Sequence, residues 1–467
     1  MVNRKILVIG GVAAGTSAAS KAKRIDPDAD VRIIQDENVV SYGACGMPYV
    51  IEGLVNDFQQ LIERPPDIFK KEYKIDVITN TRAQRIDRAK KKVYAVDLQS
   101  QVETIYDYDS LVIATGARAV VPNIKGVDQA DGEDIFLIRN YEDGLKIYDS
   151  KKAKNASTCV IVGAGLVGLE MIEAFKKRNA RRKMDITVVE RNDHVLPTML
   201  DKNMAKIVQK ELESNGVKVI TGEQVEEIVG SSSSSSSRDD NVKTVKTNTN
   251  RQIDTEFILV GTGVRPNSEI AKDAGIELGY ANAIKVNDYM RTNIPDIFSA
   301  GDCATARNYI TNEDMYLPLG TTANRQGRIA GENAAGGNAR FRGIAGSAIT
   351  KTFDLYIGKT GLTKQEALNY GFDPIEEEIE SVTRAGYYPG SKPIWIKILA
   401  DRKSGRILGS QIVGGEGVKE RIDTIALALL LKADIQDLSS YDACYVPSAS
   451  PVWEPLNIAA SQTAKKL

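Results

Sequence analysis

Residues 157–190 read STCVIVGAGLVGLEMIEAFKKRNARRKMDITVVE and hold the clearest structural signal in the chain. An apolar run precedes Gly163, Gly165 and Gly168, and a helix-forming run follows them. A strand, a GxGxxG loop and a helix in this order are typical of a dinucleotide-binding unit, in which a pyrophosphate approaches the helix N-terminus. Glu190 ends the next strand-like run, where a carboxylate accepts ribose hydroxyls and repels a 2′-phosphate. The stretch therefore predicts a site that prefers NADH to NADPH.

A less complete copy of this pattern opens the chain. The strand-like run KILVIGG leads into a loop with Gly10 and Gly15 at the outer glycine positions and Val12 at the middle one. After the next strand-like run the chain reads Gln35-Asp36, where the pattern expects an acid. Gln35 can still accept a hydrogen bond, and Asp36 is the candidate to replace the missing acid. Two copies of the pattern predict two dinucleotide-binding domains with parallel sheets.

The composition excludes several classes of protein. A chain of 467 residues allows two to four domains at roughly 100–200 residues each. A formal net charge of -1 argues against nucleic-acid binding, and no apolar run reaches the roughly 18–20 residues of a membrane helix. We therefore expect a cytoplasmic protein with no nucleic-acid or membrane partner. A single histidine, His194, and four cysteines without CxxC spacing predict no metal site and no disulfide framework.

The chain beyond about Glu332 has a different pattern. It carries the strand-like runs KTFDLYIGKTG, PIWIKILAD and RILGSQIVGG and ends in an apolar helix, RIDTIALALLLKA, which together predict an α+β domain. Upstream, the low-complexity run Ser231–Ser237 lies between two strand-like segments, so we expect a flexible hairpin tip there.

Three further segments complete a family resemblance. They are YDSLVIATGA, VGTGVRPN and DIFSAGDCA, and each brings a strand to a small-residue turn. With the two glycine loops, and in this order, they resemble the flavin-dependent pyridine nucleotide-disulfide oxidoreductases over essentially the whole chain. The resemblance implies an α/β fold with two Rossmann-like domains and a C-terminal α+β dimerisation domain. It divides the chain into a split FAD domain (1–118 and 265–331), an inserted NAD domain (119–264) and the dimerisation domain (332–467).

The motif SYGACGMPY, residues 41–49, carries the chemistry. Members with two redox cysteines have the second one five residues after the first, where this chain has Val50, so dithiol chemistry is excluded. The motif resembles the single-cysteine coenzyme A-disulfide reductases and NADH oxidases, as do the segments AGYYPG and SPVWEPLN. Apart from the resemblance, Cys45 lies where a loop becomes a helix, and a helix N-terminus favours the thiolate. A thiolate beside a flavin can attack a disulfide sulfur.

The other cysteines and the first glycine loop refine this interpretation. We expect Cys159 to pack in a strand, Cys303 to pack near the flavin, and Cys444 to lie in a tail where a resolving role is the less favoured interpretation. Peroxide- and oxygen-reducing relatives carry a histidine in the first loop, where this chain has Ala13. A thiolate, with a pKa of about 8.5, leaves without an acid, whereas hydroxide needs a proton donor. A disulfide substrate is therefore favoured over a peroxide.

The resemblance implies an FAD-dependent NADH:disulfide oxidoreductase, a homodimer that reduces coenzyme A disulfide. An NADH oxidase and an NADH-dependent persulfide or polysulfide reductase remain alternatives, and a slowly turning redox-sensing flavoprotein is a rival from another class. Helical spacing puts Lys21 and Arg24 on one face of the first helix, where they either bind coenzyme A phosphates or simply face water.

Residue roles follow from the resemblance. It assigns Cys45, Tyr387 and Tyr388 to catalysis, with the tyrosines reaching the partner's site. It assigns the binding of FAD and NADH to the following residues: Gly10, Val12, Ala13, Ala14, Gly15, Gln35, Asp36, Ser41, Ala83, Ala114, Thr115, Gly116, Gly163, Gly165, Leu166, Val167, Gly168, Glu190, Arg191, Gly263, Gly301, Asp302, Gly320, Thr321 and Ala323. It assigns coenzyme A to Ser17, Lys21, Arg24, Ser41, Ala44 and Lys71. Ala44 departs from the asparagine of some coenzyme A-disulfide reductases.

Overall fold

The computed structural model describes residues 3–127, 134–178, 183–230 and 242–467. The first part of the chain forms the first dinucleotide-binding unit and an antiparallel three-stranded sheet. Its elements are β1 (Lys5–Ile9), α1 (Ala13–Ile25), β2 (Asp30–Ile34), α2 (Met47–Glu52), α3 (Pro66–Tyr73), β3 (Asp76–Ile78), β4 (Thr81–Asp87), β5 (Lys92–Asp97), β6 (Glu103–Asp107), β7 (Ser110–Ile113) and β8 (Ala117–Ala119).

The middle of the chain forms the second unit. Its elements are β9 (Ile135–Leu137), α4 (Tyr141–Asp149), α5 (Lys151–Asn155), β10 (Thr158–Val162), α6 (Leu166–Arg178), β11 (Asp185–Glu190), α7 (Lys202–Ser214), β12 (Val217–Thr221), β13 (Val225–Gly230), β14 (Lys243–Thr247), β15 (Gln252–Thr255), β16 (Phe257–Val260) and β17 (Val264–Pro266). The serine run 231–237 lies outside the described residues, but β13 and β14 on either side of it pair antiparallel. This pairing agrees with the predicted hairpin.

The chain then returns to the first sheet. This return contains α8 (Glu269–Asp273), β18 (Ile297–Ser299), β19 (Ala306–Arg307), β20 (Asp314–Met315) and α9 (Gly320–Ala334). The completed sheet has the parallel order β18-β7-β1-β2-β3, and the second unit has the parallel order β12-β11-β10-β16-β9. Two parallel sheets confirm the predicted pair of dinucleotide-binding domains.

Strand β1 shows why the first sheet is buried on both faces. Ile6 and Val8 pack into one hydrophobic cluster, whereas Leu7 and Ile9 pack into another on the opposite face. Side chains alternate across a strand, so an unbroken apolar run fills two cores, as is typical of a parallel sheet covered on both sides.

The C-terminal region forms an antiparallel sheet with helices against it. Its elements are β21 (Ala348–Thr352), β22 (Leu355–Gly361), α10 (Lys364–Asn369), β23 (Pro374–Val382), β24 (Pro393–Asp401), β25 (Ile407–Gly414), α11 (Val418–Leu431), α12 (Ile435–Ser440) and α13 (Pro455–Ala464), with the sheet order β21-β22-β25-β24-β23. The prediction that the region ends in the apolar helix α11 is wrong, because α12 and α13 follow it. The buried residues Leu456 and Ala459 anchor α13 in the same core.

Two close helix contacts hold the parts together. A Cβ on Gly327 of α9 would lie 2.2 Å from the carbonyl oxygen of Ala14 in α1. A Cβ on Gly144 of α4 would lie 2.6 Å from the sulfur of Met47 in α2. The inserted unit therefore packs directly on the helix that follows the Cys45 motif. Helix α9 runs to Ala334, through the predicted domain boundary at residue 332, and the boundaries stay a prediction.

Candidate active site

Glycine is required at the three positions of the second loop for different physical reasons. Gly163 has φ +103, and a Cβ on Gly168 would lie 2.2 Å from the Gly163 carbonyl oxygen, so the turn and the approach of the helix require both. Neither the turn nor a close approach requires glycine at position 165, since its φ lies outside the left-handed region and no atom lies within 4 Å of its Cβ position. A glycine that opens free space at the start of α6 fits a ligand whose pyrophosphate approaches the backbone.

Glu190 braces this loop. The carboxylate is 6% exposed, and its Oε2 accepts a hydrogen bond from the backbone N–H of Ala164 at 2.9 Å. Its Oε1 accepts from the backbone N–H of Asn192 at 2.9 Å and from the Asn192 side-chain amide at 2.6 Å. Each carboxylate oxygen offers two lone-pair directions, so Oε2 keeps one for a ribose hydroxyl. The adjacent Arg191 is exposed, as are Val167 and Asn192.

The first loop repeats this design with a neutral side chain. Gln35 takes the place of Glu190, and its Oε1 accepts from the backbone N–H of Gly11 at 2.7 Å. Asp36 instead points outward, is exposed, and pairs with Arg82 at 3.4 Å. Gln35 therefore takes the bracing position at this loop, and the nucleotide-binding role of Asp36 stays a prediction.

The small-residue turns around the first loop leave room for a flavin nucleotide. Gly116 has φ +67, and no atom lies within 4 Å of its Cβ position. Gly263, with φ +108, is equally open, but its turn lies beside the second loop, where a Cβ on Gly163 would lie 2.6 Å from the Gly261 carbonyl oxygen. Gly320 at the start of α9 is equally open. A Cβ on Gly301 would instead lie 2.7 Å from the Ala14 side chain, so Gly301 permits the chain to pass close to α1. This open cradle of backbone N–H groups fits FAD.

The remaining predicted nucleotide residues lie around the same loops. Ala13 and Ala14 begin α1, and Leu166 and Val167 begin α6. Ala114 and Thr115 form the turn after β7, and Thr115 is tied to the carbonyl oxygen of Asn267. The others are Ala83 in β4 and Thr321 and Ala323 in α9.

Cys45 lies in a short 3-10 turn, Ala44–Gly46, directly before α2, and it is exposed. Ser41 adopts φ 50, and its N–H donates to the carbonyl oxygen of Gly11 at 2.8 Å. Gly43 donates to Leu61 at 2.8 Å from the other side. The Cys45 loop is therefore hydrogen-bonded to the first glycine loop. Cys303, the other cysteine of this region, is 0% exposed, and Cys159 is buried in β10 as predicted.

The electrostatics around Cys45 differ from the expectation for a helix N-terminus. Neighbouring protein atoms desolvate the sulfur although a water molecule can reach it, and this desolvation raises the pKa of the Cys45 thiol. The charge of Glu170 and, more weakly, that of Asp302 add to the increase, while Arg139 opposes it. Helix α2 has only six residues, and the backbone hydrogen bond at Cys45 is the smallest of the causes that act on this pKa.

Arg139 and Asp302 form an ion pair close to this thiol. The Arg139 Nη2 atom lies 2.5 Å from Asp302 Oδ2, and Arg139 Nε donates to the Ala117 carbonyl oxygen at 3.0 Å. Tyr316 donates its hydroxyl hydrogen to the backbone oxygen of Asp302 at 3.0 Å. The aspartate predicted to bind the flavin is thus held by an arginine from the inserted unit.

Sequence reasoning missed four groups: Glu170, Arg139, Glu37, which bonds to Tyr42, and Tyr445, which contacts Tyr387. Glu170 accepts from Thr350 at 2.8 Å, and burial raises its pKa. Arg139, Glu37 and Tyr445 were not singled out either. Only Glu170 carried a local signal, because it is an acid two residues after the last glycine of the loop predicted to bind a pyrophosphate. The others acquire their surroundings through contacts between segments far apart in sequence.

The predicted tyrosines lie on the C-terminal domain. Tyr387 and Tyr388 are exposed, and the hydroxyl oxygens of Tyr387 and Tyr445 are 3.3 Å apart. Trp453 is 75% exposed. Cys444, next to Tyr445, is exposed as well. We refer to Tyr387, Tyr388, Tyr445 and Trp453, four exposed aromatic residues of the C-terminal domain, as the exposed aromatic patch.

The predicted coenzyme A residues are only partly available. Lys21 Nζ lies 2.9 Å from Glu332 Oε2 in α9, so its charge is already paired. Arg24 is exposed, with Nε bonded to the Ser20 carbonyl oxygen at 3.1 Å. Ser17 donates to Asn324 at 2.6 Å, and Lys71 is exposed in α3.

We also searched the described residues for metal ligands and membrane helices, and located the single histidine. In the described parts of the chain, no group of three or more His, Cys, Asp or Glu residues could hold a metal ion. Within the same residues, no helix is long and apolar enough to cross a membrane. His194 is half-buried, and its ring nitrogens contact Asp193 at 2.5 Å and the Leu200 carbonyl oxygen at 3.0 Å. It is therefore a bonded loop residue of the second unit.

Two dinucleotide cradles and one exposed thiol beside the first cradle define a flavin- and pyridine nucleotide-dependent oxidoreductase. The family described as Pyridine nucleotide-disulphide oxidoreductase matches residues 4–327, and its dimerisation domain matches residues 347–455. The chain therefore belongs to the pyridine nucleotide-disulphide oxidoreductase family. Membership confirms the predicted fold class and the expectation of FAD and a pyridine nucleotide as cofactors.

Several curated proteins are similar along their whole length. The chain is 39% identical over 463 residues to a protein of Methanocaldococcus jannaschii named NADH oxidase, covering 99% of each chain. It is 35% identical over 459 residues, 98% of each chain, to the NAD(P)H coenzyme A polysulfide/persulfide reductase of Pyrococcus horikoshii. It is 30% identical over 448 residues, 96% of each chain, to the coenzyme A disulfide reductase of Staphylococcus haemolyticus.

A solved structure agrees with the fold. The NAD-dependent persulfide reductase of A. fulgidus superposes with a TM-score of 0.92 and 37% identity, covering 99% of this chain and 83% of that one. The names of these relatives differ in the acceptor of the electrons. All four names are those of oxidoreductases, and three of them contain NADH, NAD(P)H or NAD.

Proposed function

We propose that this protein is an FAD-dependent NADH:disulfide oxidoreductase that reduces coenzyme A disulfide through Cys45. The observation that carries the proposal is the position of Cys45, an exposed thiol in a loop hydrogen-bonded to the first glycine loop through Ser41 and Gly11. The neighbouring Cys303 is fully buried and has no access to a substrate. The name of the Staphylococcus haemolyticus relative supports the same substrate.

The reaction uses one cysteine and two electrons for each disulfide. The Cys45 thiolate attacks one sulfur of the substrate, a Cys45–substrate disulfide forms, and the other half leaves as a thiolate. Two electrons from NADH then cleave this mixed disulfide, and FAD, held at the first glycine loop, would supply the path between the two. The second substrate half leaves, and Cys45 returns to a thiolate. In sum, one disulfide, one NADH and one proton give two thiols and NAD⁺.

The chain's own groups have distinct tasks in this scheme. Arg139 is the cation that lowers the pKa of the Cys45 thiol, and it also holds Asp302, the proposed partner of the flavin ribityl chain. Glu190 would accept a ribose hydroxyl of NADH, and Gly165 would admit its pyrophosphate. Together they would orient NADH at the second cradle.

The homodimer is part of the proposal. The dimerisation domain that matches residues 347–455 supports a dimer, and the exposed aromatic patch gives it an apolar surface. We propose that Tyr387 and Tyr388 cover the partner's Cys45 and limit water there.

A second candidate substrate is a persulfide or polysulfide. The observation that favours it is the ion pair between Lys21 and Glu332, because it neutralises one of the three cations, Lys21, Arg24 and Lys71, that are proposed for coenzyme A. An inorganic polysulfide needs no such site. The relatives named persulfide reductase support this candidate.

A substrate panel with matched cysteine variants tests the proposal. NADH oxidation is followed with coenzyme A disulfide, polysulfide, peroxide or oxygen as the acceptor. The largest kcat/KM is expected for coenzyme A disulfide, and Cys45→Ser should abolish that activity while FAD content and flavin reduction by NADH persist. Cys444→Ser, the other exposed thiol, is the control. Full disulfide turnover by Cys45→Ser would contradict the mechanism.

A further inference from the structure

Glu37 is a largely buried carboxylate beside the Cys45 loop. Its Oε2 accepts from the hydroxyl of Tyr42 at 2.9 Å, and its Oε1 lies 3.2 Å from the same hydroxyl. The Gln35 side-chain amide donates to Glu37 Oε1 at 3.0 Å. The backbone N–H of Tyr141, the first residue of α4, is a further hydrogen-bond donor to this carboxylate.

These bonds join three parts of the site. Gln35 bonds to Gly11, so Glu37 is linked to the first glycine loop. Tyr42 stands three residues before Cys45 and packs its ring edge-on against Tyr141, with centroids 5.5 Å apart. Tyr141 belongs to the inserted unit. Glu37 therefore touches the cofactor loop, the thiol loop and the inserted unit at once.

The charged surroundings of Glu37 are unfavourable to its ionised form. Burial raises the pKa of Glu37 to about 7, and the charges of Asp36 and Asp143 add to this increase. The hydrogen bonds from Tyr42 and Tyr141 act in the opposite direction. Arg139 is the cation on this side of the site, and it acts on the Tyr42 hydroxyl. Arg82 pairs with Asp36 on the solvent side.

We propose that Glu37 is a positioning residue for disulfide reduction, whose ionised form holds Tyr42, and with it the Cys45 loop, in register with the first glycine loop. The inference rests on the proposed role of Cys45. An ionised carboxylate makes shorter and stronger hydrogen bonds than a neutral one. Protonated Glu37 holds Tyr42 less tightly and must place its own hydrogen on one of the same partners, so the Cys45 loop is looser at lower pH.

The pH dependence of each half-reaction tests this role. Reduced wild-type enzyme is mixed anaerobically with coenzyme A disulfide between pH 5.5 and 8.5, and the reoxidation rate is compared with that of Glu37→Gln. Glutamine has nearly the shape of the neutral acid, so the two rates should agree near pH 6. At pH 8 the variant should be roughly tenfold slower, the effect of one lost charge-assisted hydrogen bond. Flavin reduction by NADH should be equal in both proteins at every pH.

Two further variants distinguish a loss of positioning of the Cys45 loop from a general disturbance of the site. Tyr42→Phe removes the hydroxyl but keeps Glu37, and it should lose the same pH-dependent part of the rate. Tyr141→Phe keeps the ring and the backbone amide that face Glu37, and it should behave as wild type. The long-wavelength absorbance of the Cys45 thiolate beside oxidised flavin reports their contact, and it should weaken in Glu37→Gln at pH 8.

The outcomes distinguish this inference from the proposed function. A Glu37→Gln rate that parallels the wild-type rate at all pH values, with Cys45→Ser inactive, overturns the role of Glu37 alone. An active Cys45→Ser overturns the proposed function. A faster Glu37→Gln at pH 8 also overturns the positioning role, because removing a negative charge near the thiol would then outweigh the lost hydrogen bond. If the Glu37→Gln protein does not retain FAD, the pH dependence of the reoxidation rate of Tyr42→Phe distinguishes the same outcomes.

Discussion

The carboxylate of Glu190 accepts a hydrogen bond from the backbone amide of Ala164, with 2.9 Å between nitrogen and oxygen. The same contact recurs between Gly11 and Gln35 at 2.7 Å in the first loop. In both units a side chain at the end of the second strand fixes the glycine turn of the first. The residue proposed to select the nucleotide therefore also supports the loop, and its substitution affects both tasks.

Glu190→Gln separates these tasks. The glutamine oxygen can still brace Ala164, while the charge that repels a 2′-phosphate is lost. We expect the ratio of kcat/KM for NADH over NADPH to fall roughly ten- to a hundredfold, the worth of one charged contact. Steady-state kinetics with both nucleotides measure this ratio. Asp193→Asn, an exposed acid on the same loop, is the control and should leave the ratio unchanged, whereas an unchanged ratio in Glu190→Gln would refute the assignment.

Glu170→Gln should lower the pKa of the Cys45 thiol. Glu170 is the largest charged influence that raises this pKa, and glutamine retains the bond from Thr350 without the charge. The thiolate absorbance near 240 nm, followed against pH in a Cys444→Ser background, gives the midpoint. Disulfide reduction should then reach its plateau at a lower pH than in wild type. An unchanged thiol midpoint would show that Glu170 is neutral at the site, and a higher midpoint would contradict the prediction.

Arg24→Ala and Lys21→Ala should differ in their effect on coenzyme A disulfide. Lys21 is neutralised by Glu332, whereas Arg24 is exposed and available to a phosphate. We expect the KM for coenzyme A disulfide to rise roughly threefold in Arg24→Ala, the worth of an exposed ion pair, and to stay within error in Lys21→Ala. The effect should shrink at high salt because exposed charges are screened. Equal KM values in both variants would favour an inorganic polysulfide.

Trp453→Ala should weaken the dimer without loss of FAD. Trp453 is 75% exposed in the single chain, and large aromatic side chains dominate many interfaces. The dissociation constant from analytical ultracentrifugation should rise roughly tenfold or more. Val102→Ala, an exposed apolar residue of the first unit, is the control. A truncation would be less informative, since α13 carries the buried residues Leu456 and Ala459.

Glu37 should make the protein less stable as the pH rises. The pKa of Glu37 is 4.5 in the reference state and about 7 in the fold, so the folded state binds the proton more tightly. Its favourable contribution is complete below about pH 4.5 and is lost progressively up to about pH 7, a change of about 3 kcal/mol at most. Urea unfolding at a series of pH values should show this decline in wild type and a flatter profile in Glu37→Gln.

Much of this architecture follows from local sequence. Both glycine loops, the flanking strands and Glu190 lie within about 35 residues of each other in each unit, and their periodicity predicts the sheet. Cys45 was also evident, because it stands in a short motif of small residues at the start of a helix. These features depend on contacts between near neighbours.

The rest depends on contacts that no local pattern contains. Lys21 pairs with Glu332 in α9, far along the chain, and Glu37 has Tyr141 and Asp143 of α4 among its surroundings. Asp36 and Glu37 are adjacent acids that the sequence does not distinguish, yet one faces solvent and the other the site. The raised pKa of Cys45 likewise comes from Glu170 of α6.

The contact of Gly144 with Met47 has a consequence for recombining members of this family. A graft that exchanges the nucleotide-binding module at its chain boundaries would bring a foreign α4 onto α2, where even one added methyl group would collide with the methionine sulfur. Such a graft must therefore match α4 to α2 as well as β9 to β16, with which β9 pairs in the second sheet.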